Sequence, residues 1–401
     1  MIMICPKDKC TGCYACVNAC HHNSITMQED EYGELHPIIN DNTCINCGAC
    51  EKACPNNNER FFNKPIICYA SWITDKKKRS ICASGGIATI MSEYIIKYCN
   101  GVVFGSRYDN DFEPIISYTE KAEELERFKG SRYVQSKIGE NTYRQALAFL
   151  KEGKKVVFIG TPCQIAGLKS YLKKDYLNLI TVDLICHGCS PTSYFREELK
   201  EIRETEKLKN ISDVRFRGND GYNYRYSIWS GNECIYDKKG CTSYYLAGFL
   251  LGITLRENCY NCEYARPERV SDITIGDFIG LGQKEPFAYP KGNVSSVFIN
   301  TQTGKEFFDE VTNAMPDLKN VERQIEERLR YKPSLLEPAK RSSLNSRFRS
   351  EYIKNGYVVA SRTVLADVIK QYNLKYKINS IQRILLLPYR VLKKISKSVL
   401  Y

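Results

Sequence analysis

"VVFIGTPCQIAGLKSYLKKDYLNLITVDLIC", Val156 to Cys186, decides the fold. Two short apolar, β-branched runs, "KVVFIG" and "NLITVDLIC", flank the helix-like "CQIAGLKSYLKK". Strand, helix and strand in this order make a βαβ unit, whose strands lie parallel with their carboxyl ends on one edge. Cys163 follows the first strand and Cys186 ends the second. Both are therefore expected at the sheet rim where open α/β sheets bind ligands.

Upstream, "ASGGIATIMSEYIIKYC" reads as a helix with Ser84 as N-cap and Ile87, Ile90, Met91, Tyr94 and Ile95 at helical spacing. Gly85 and Gly86 before it let backbone approach a ligand, and free amides at a helix start attract anions. "GVVFGS" reads as a strand, "EKAEELERF" as a helix, and "KGSRYVQS" as a loop joined to a short strand. Downstream, "DVRFRG", "YRYSIWS", "SDITIGDFIG" and "VSSVFINT" are expected strands and "TGKEFFDEVTNAM" a helix. The pair "CYNC", Cys259 and Cys262, stands just ahead of "SDITIGD".

The N-terminal part is of another kind. "CTGCYACVNAC" holds Cys10, Cys13, Cys16 and Cys20; "CINCGACEKACP" holds Cys44, Cys47, Cys50 and Cys54. Each run is C-x2-C-x2-C-x3-C, the bacterial two-cluster ferredoxin spacing, in which the fourth thiolate crosses to the other cluster. One 4Fe-4S cluster is thus assigned to Cys10, Cys13, Cys16 and Cys54, the other to Cys44, Cys47, Cys50 and Cys20. A pair of zinc sites would need four thiolates each and no third C-x2-C step. His21 stands after Cys20 where the second run has Pro55, which removes no ligand.

The chain has 401 residues, 43% hydrophobic and 26% charged, an ordinary globular composition long enough for two or three domains. No apolar run approaches the roughly 18 residues of a membrane span. Cys5 and Cys10 interrupt the place of a signal peptide, so a cytoplasmic location is expected. Nineteen cysteines in that setting point to metal ligation or redox chemistry rather than a disulfide scaffold. From residue 340 onward there are fourteen Lys or Arg against Glu351 and Asp367, which accounts for the whole net charge of +12.

The stretches "SGGIAT", "KGSRYVQS", "GTPCQIAGLK", "DLICHG", "CYNC" and "DITIGDF", in this order behind a dicluster ferredoxin domain, resemble the beta-subunit family of coenzyme F420-reducing hydrogenases and related dehydrogenases. The resemblance covers roughly residues 1 to 310. It implies an FAD-binding α/β domain with a third 4Fe-4S cluster close to the flavin. Carried over by position, Cys163, Cys186, Cys259 and Cys262 become that cluster's ligands. Cys189, in "CHGC", departs from the family pattern. It opens the alternative set Cys186, Cys189, Cys259 and Cys262, two C-x2-C pairs that suit a structural zinc.

For the flavin, Ser84, Gly85 and Gly86 are the expected helix-start contacts, and Lys129, Gly130, Ser131 and Arg132 the phosphate loop. Arg217 is expected to face the cofactor and Asp277 to hold one of its hydroxyls. The loop "GNDGYNYRY" departs from the family pattern and leaves the second-substrate site open. His187 is read either as a proton donor to substrate or as a hydrogen-bond partner beside the cluster. Cys5, Cys68, Cys82, Cys99, Cys234 and Cys241 lack partners at ligand spacing and read as ordinary thiols.

The expected organisation is a dicluster ferredoxin domain at 1–64, a mixed α/β flavin and iron–sulfur domain at 65–335, and a basic helical extension at 336–401. In the extension, Ile381, Leu385, Pro388, Leu392, Ile395 and Val399 fall near one helical face among Arg383, Arg390, Lys393, Lys394 and Lys397. Such a segment suits an anionic membrane surface, here the inner face, or can dock on a partner protein or on the body itself; no nucleic-acid motif is present. The resulting expectation is an iron–sulfur flavoprotein oxidoreductase passing electrons from ferredoxin-type clusters through a third cluster to FAD and an organic acceptor. Family members accompany surface-polysaccharide genes, which makes a sugar-related acceptor one expectation. The alternatives are an electron-relay subunit of a hydrogenase or formate dehydrogenase using coenzyme F420, and a non-catalytic membrane-associated assembly protein.

Overall fold

The computed structural model describes residues 3–217, 224–290, 293–331 and 334–398, with side chains to residue 378. In the N-terminal lobe a hairpin of β1 (Ile25–Glu29) and β2 (Leu35–Ile39) separates two five-residue helices, Ala15–Ala19 and Ala49–Ala53. Each helix starts one residue before the third cysteine of its run and stops one residue before the fourth. Each is entered through a left-handed residue, Tyr14 (φ 61°) in the first run and Gly48 (φ 69°) in the second. The sequence repeat is thus a backbone repeat.

The body is built on a large sheet. Its first strands are β3 (Ile67–Ile73), β4 (Val102–Tyr108), β5 (Pro114–Thr119), β6 (Lys137–Ile138), β7 (Val156–Gly160) and β8 (Leu179–Leu184), joined by three more from later in the chain. Between them, β9 (Asp213–Arg215), β10 (Arg225–Ser230) and β11 (Glu233–Lys239) form a separate antiparallel sheet. With β12 (Ile273–Asp277), β13 (Ser295–Ile299) and β14 (Leu318–Arg323), the large sheet has the order β14-β3-β13-β12-β8-β7-β4-β5-β6. Its centre, β12, β8, β7 and β4, is parallel, as the βαβ reading requires. Pro114–Thr119, Glu233–Lys239 and Leu318–Arg323 are short or polar strands that carry no clear alternation, and the sequence reading passes over them, as it does over β3.

Alternating residues of the parallel strands enter different cores, the expected period of two. Val157, Ile180 and Val182 pack with the helices Ile87–Cys99 and Gln302–Ala314 on one face. Val156, Phe158 and Leu179 pack with Thr142–Lys151 and Pro162–Leu172 on the other. That second core also contains Tyr14, Ala15, Val17, Ile25 and Leu35, so the cysteine-rich lobe shares one hydrophobic core with the sheet.

Three expectations change. Ser84 is not the N-cap of its helix: Gly86, left-handed at φ 90°, holds that position, and the first helical residue is Ile87. Gly85 is required by the sheet, since a Cβ there would lie 2.2 Å from the Ser71 carbonyl and 2.8 Å from the Ser295 amide. "EKAEELERF" forms a 3-10 helix, Ala122–Phe128.

The C-terminal helix runs from Asn345 to Ser398 and breaks at Gly356 (φ 74°, ψ 175°). Its first part is core: Phe348, Tyr357, Ala360 and Leu365 are fully buried with Tyr194, Phe195 and Tyr245. Arg362 donates to Glu198 at 2.5 Å. The side chains read as a basic amphipathic face, 381–399, lie outside the described residues. Among the described residues no helix is long and apolar enough to cross a membrane.

Candidate iron–sulfur and cofactor sites

Cys10, Cys13 and Cys16 of the first run and Cys54 of the second line one pocket, as the crossover assignment expects. Cys20 lies near Cys50, whose thiol is raised by burial and further by that neighbour. The two groups differ in exposure: Cys10, Cys16 and Cys54 of the first are buried and Cys13 is half-buried, whereas in the second Cys20 is buried, Cys44 and Cys50 are half-buried and Cys47 is exposed. Cys5 corrects its reading as an ordinary thiol. It lines the same pocket and hydrogen-bonds with both Cys10 and Cys54. It stands outside any C-x2-C step, so only the fold could reveal it. Donors here are thiols in an apolar setting of Ile4, Met27 and Pro37, which suits an iron–sulfur cluster.

The second cysteine group gathers at the carboxyl edge of the parallel strands. Thr161 caps the helix Pro162–Leu172 in a capping box with Gln164, and Pro162 occupies N1, so Cys163 is held in the first turn. Its Sγ lies 3.2 Å from the Thr161 hydroxyl. Cys186 leaves β8 after Ile185, whose amide still pairs with the Ile275 carbonyl at 2.9 Å. Cys259 sits in the 3-10 turn Glu257–Asn261, and Cys262 follows it. The Cys189 amide donates to Cys259 Sγ at 3.4 Å.

Burial pushes the thiols of Cys163, Cys259 and Cys262 up, that of Cys262 to about 11, and each is raised further by Cys186. Cys186 is drawn down, chiefly by its hydrogen bond from Cys189. Cys163, Cys186, Cys189, Cys259 and Cys262 thus lie close enough for their charges to act on one another, although among the described residues no three or more His, Cys, Asp or Glu side chains are arranged to hold a metal ion; both four-cysteine sets stay open.

Two arginines flanking "CYNC" hold this arrangement, and the sequence reading missed both. Arg269, seven residues after Cys262, donates to the carbonyls of Tyr264, Arg266 and Leu184, each at 3.1 Å, and pairs with Asp183. Arg256, three residues before Cys259, reaches the Cys10 carbonyl. Their signal was available as two basic residues beside a cysteine pair, but nothing local distinguishes them from solvated charges.

A cleft of about 400 Å³ opens in the body, within the roughly 300–1,000 Å³ of most small-molecule sites. Lys129, Gly130, Ser131, Arg132, Arg217 and Trp229 line it. Arg217 is tied at three points: Nε to the Ala83 carbonyl (2.8 Å), Nη1 to the Tyr133 hydroxyl (3.0 Å) and Nη2 to Asp277 (2.7 Å). Asp277 is therefore spent on Arg217. Lys129 pairs with Glu126, and the Arg132 guanidinium lies 4.7 Å from the Tyr108 ring centre. Residues 218–223 of the "GNDGYNYRY" loop lie outside the described residues.

Arg132, in the lining of this cleft, has a buried Nε without a partner, and Ser84 Oγ and His187 Nε2 are likewise buried and unpartnered. Such atoms cost stability unless something bonds to them, and the Arg132 Nε fits a polar cofactor in the cleft. His187 packs edge-on against Phe249 at 5.3 Å, and Phe249 stacks on Tyr133 at 5.0 Å. Burial lowers the His187 pKa below its usual 6.5, so the imidazole is neutral near pH 7. A neutral ring suits a hydrogen-bond partner better than a proton donor.

Thiol groups on a ferredoxin-like lobe, joined to a parallel sheet with a cationic cleft at its rim, define a multidomain mixed α/β iron–sulfur protein. Residues 9–58 match the 4Fe-4S dicluster domain, and residues 153–323 match the C terminus of the coenzyme F420 hydrogenase/dehydrogenase beta subunit. Those domains are the parts of an iron–sulfur electron-transfer oxidoreductase. No curated protein matches the chain. Among solved structures, the xenon-derivatised F420-reducing NiFe hydrogenase complex from Methanosarcina barkeri is similar at 17% identity. The match covers 76% of this chain and 93% of that one, with a TM-score of 0.41.

Proposed function

We propose that the chain is an iron–sulfur flavoprotein oxidoreductase that passes electrons from the N-terminal lobe through a third cluster to FAD and on to an organic acceptor. Iron–sulfur clusters supply one-electron transfer, and a flavin converts single electrons to pairs. Cys10, Cys13, Cys16 and Cys54 would hold the buried cluster, and Cys44, Cys47, Cys50 and Cys20 the outer one. Cys163, Cys186, Cys259 and Cys262 would hold the third. Ser84, the loop Lys129–Arg132 and Arg217 would bind the flavin.

One observation carries this reading. A Cβ at Gly167 would lie 3.0 Å from Cys13 Sγ, and Gly167 stands on the helix whose first turn holds Cys163. One helical turn therefore separates the two thiol groups. At the other side, His187, Phe249 and Tyr133 connect the third group to Arg217 by ring contacts and a hydrogen bond. The exposed Cys47 marks the outer end of this series.

Iron, sulfide and flavin counts on anaerobically purified protein test it. About twelve irons with one flavin support the reading; twelve irons without flavin overturn it. A second reading, an electron-relay beta subunit using coenzyme F420, is favoured by the family description of residues 153–323. It requires reduction of a deazaflavin by the protein, or by its complex with a hydrogenase or dehydrogenase partner.

A further inference from the structure

Arg256 is among the largest fully buried side chains, 1% exposed, and it spans the junction of the two lobes. Its guanidinium donates to the carbonyls of Cys10 (3.1 Å) and Leu35 (3.3 Å), to Gln135 Oε1 (2.8 Å) and to Asn258 Oδ1 (3.2 Å). Its backbone belongs to the other thiol group: the Arg256 amide donates to the Cys189 carbonyl at 2.9 Å, and the Cys259 amide donates to the Arg256 carbonyl at 3.0 Å. Gln135 repeats the bridge. Its backbone amide bonds the Ser190 carbonyl at 3.1 Å, while its side chain reaches the Thr11 carbonyl at 3.3 Å. Gly12, left-handed at φ 63°, lets the loop come this close, since a Cβ there would lie 2.6 Å from Gln135 Nε2.

A cation removed from water acts on both neighbours with little screening. The acid that acts most on it is Glu34, 2% exposed, which accepts the Glu257 amide at 2.9 Å and pairs with Arg349 at 2.7 Å. Reduction adds negative charge to a cluster, so a fixed positive charge beside it favours the reduced form.

We propose that Arg256 is the positioning residue for electron transfer between the Cys10 group and the Cys163 group, setting both reduction potentials through its charge while its hydrogen bonds fix their spacing. The inference rests on the cluster assignments above. Neither thiol spacing nor the ferredoxin motif requires an arginine at this place.

The test compares full-length wild type, Arg256→Gln, Arg256→Lys and Glu34→Gln, prepared anaerobically, by iron count and by redox titration followed with electron paramagnetic resonance. In Arg256→Gln both midpoints are expected to fall by at least a tenfold change in occupancy, about 59 mV for one electron. Arg256→Lys, which keeps the charge, is expected to stay closer to wild type, and Glu34→Gln to move both midpoints upward. A merely structural arginine would change stability or iron content without these opposed shifts. Twelve irons with unmoved midpoints in Arg256→Gln overturn the inference alone. Should that variant not fold, an unmoved Glu34→Gln overturns it. About eight irons in wild type would remove the third cluster and the inference with it.

Discussion

Asp183 on β8 and Arg269 beyond "CYNC" lie 3.2 Å apart as an ion pair with side chains 0% and 1% exposed. Arg269 spends its Nη atoms on the carbonyls of Tyr264, Arg266 and Leu184, so the pair fastens the Cys259–Cys262 segment to the strand that delivers Cys186. Arg269→Met should cost about 3–5 kcal/mol, because it leaves a buried carboxylate unpaired and three carbonyls without a donor.

The deficit should also depend on pH. Burial holds the Asp183 carboxyl above its usual 3.8, against the pull of Arg269. A carboxyl raised in the folded state stabilises the fold below its unfolded pKa, and that contribution is lost as pH rises through the folded value. Without Arg269 the folded value rises further. Urea unfolding of the variant should therefore show a larger loss at about pH 8 than at about pH 5, and equal losses would contradict the argument.

Cys163→Ser is expected to remove about four of roughly twelve irons and leave the ferredoxin pair intact, whereas Cys189→Ser removes none. Iron analysis alongside zinc analysis reads both outcomes. If Cys189→Ser removes a metal and Cys163→Ser does not, the third site is the set Cys186, Cys189, Cys259 and Cys262.

Arg217→Gln breaks the contacts with Asp277, Ala83 and Tyr133. A contact from this guanidinium to the flavin, worth about 1.5–3 kcal/mol, would be lost as well, so flavin affinity should fall about tenfold or more while iron content holds. Flavin retained on gel filtration, with Arg217→Lys as the control, measures this. Undiminished flavin would place the cofactor elsewhere.

Tyr357, fully buried beside Tyr194 at a ring separation of 5.2 Å, makes the C-terminal helix part of the body. Tyr357→Ala should destabilise the protein by about 3–5 kcal/mol, the range for emptying a large aromatic site. A thermal or urea transition indistinguishable from wild type would show that this helix docks without contributing to stability.

The two cysteine runs and the βαβ unit could be read from the sequence because their information is local. Ligand spacing is set within a few residues, and alternation of Val156, Val157 and Phe158 between two cores shows up as an unbroken apolar strand. For the same reason, the helix Ile87–Cys99 was legible while its cap was not: the turn that ends in Gly86 is decided by packing of Gly85 on β3 and β13. The basic extension shows the limit in composition. Its charge was visible, but the burial of Phe348, Tyr357 and Leu365 against Tyr194 and Tyr245 depends on a second helix and a second sheet.

What the sequence by itself determined is the inventory: eight thiols in ferredoxin register, a parallel strand pair ending in Cys163 and Cys186, and a further pair at Cys259 and Cys262. Only the tertiary structure decided how these meet. Cys5 joins Cys10 and Cys54, Cys13 rests on Gly167, and Arg256 reaches a carbonyl 246 residues away. Those contacts arise when the lobe and the sheet close over one hydrophobic core, and no spacing along the chain encodes them.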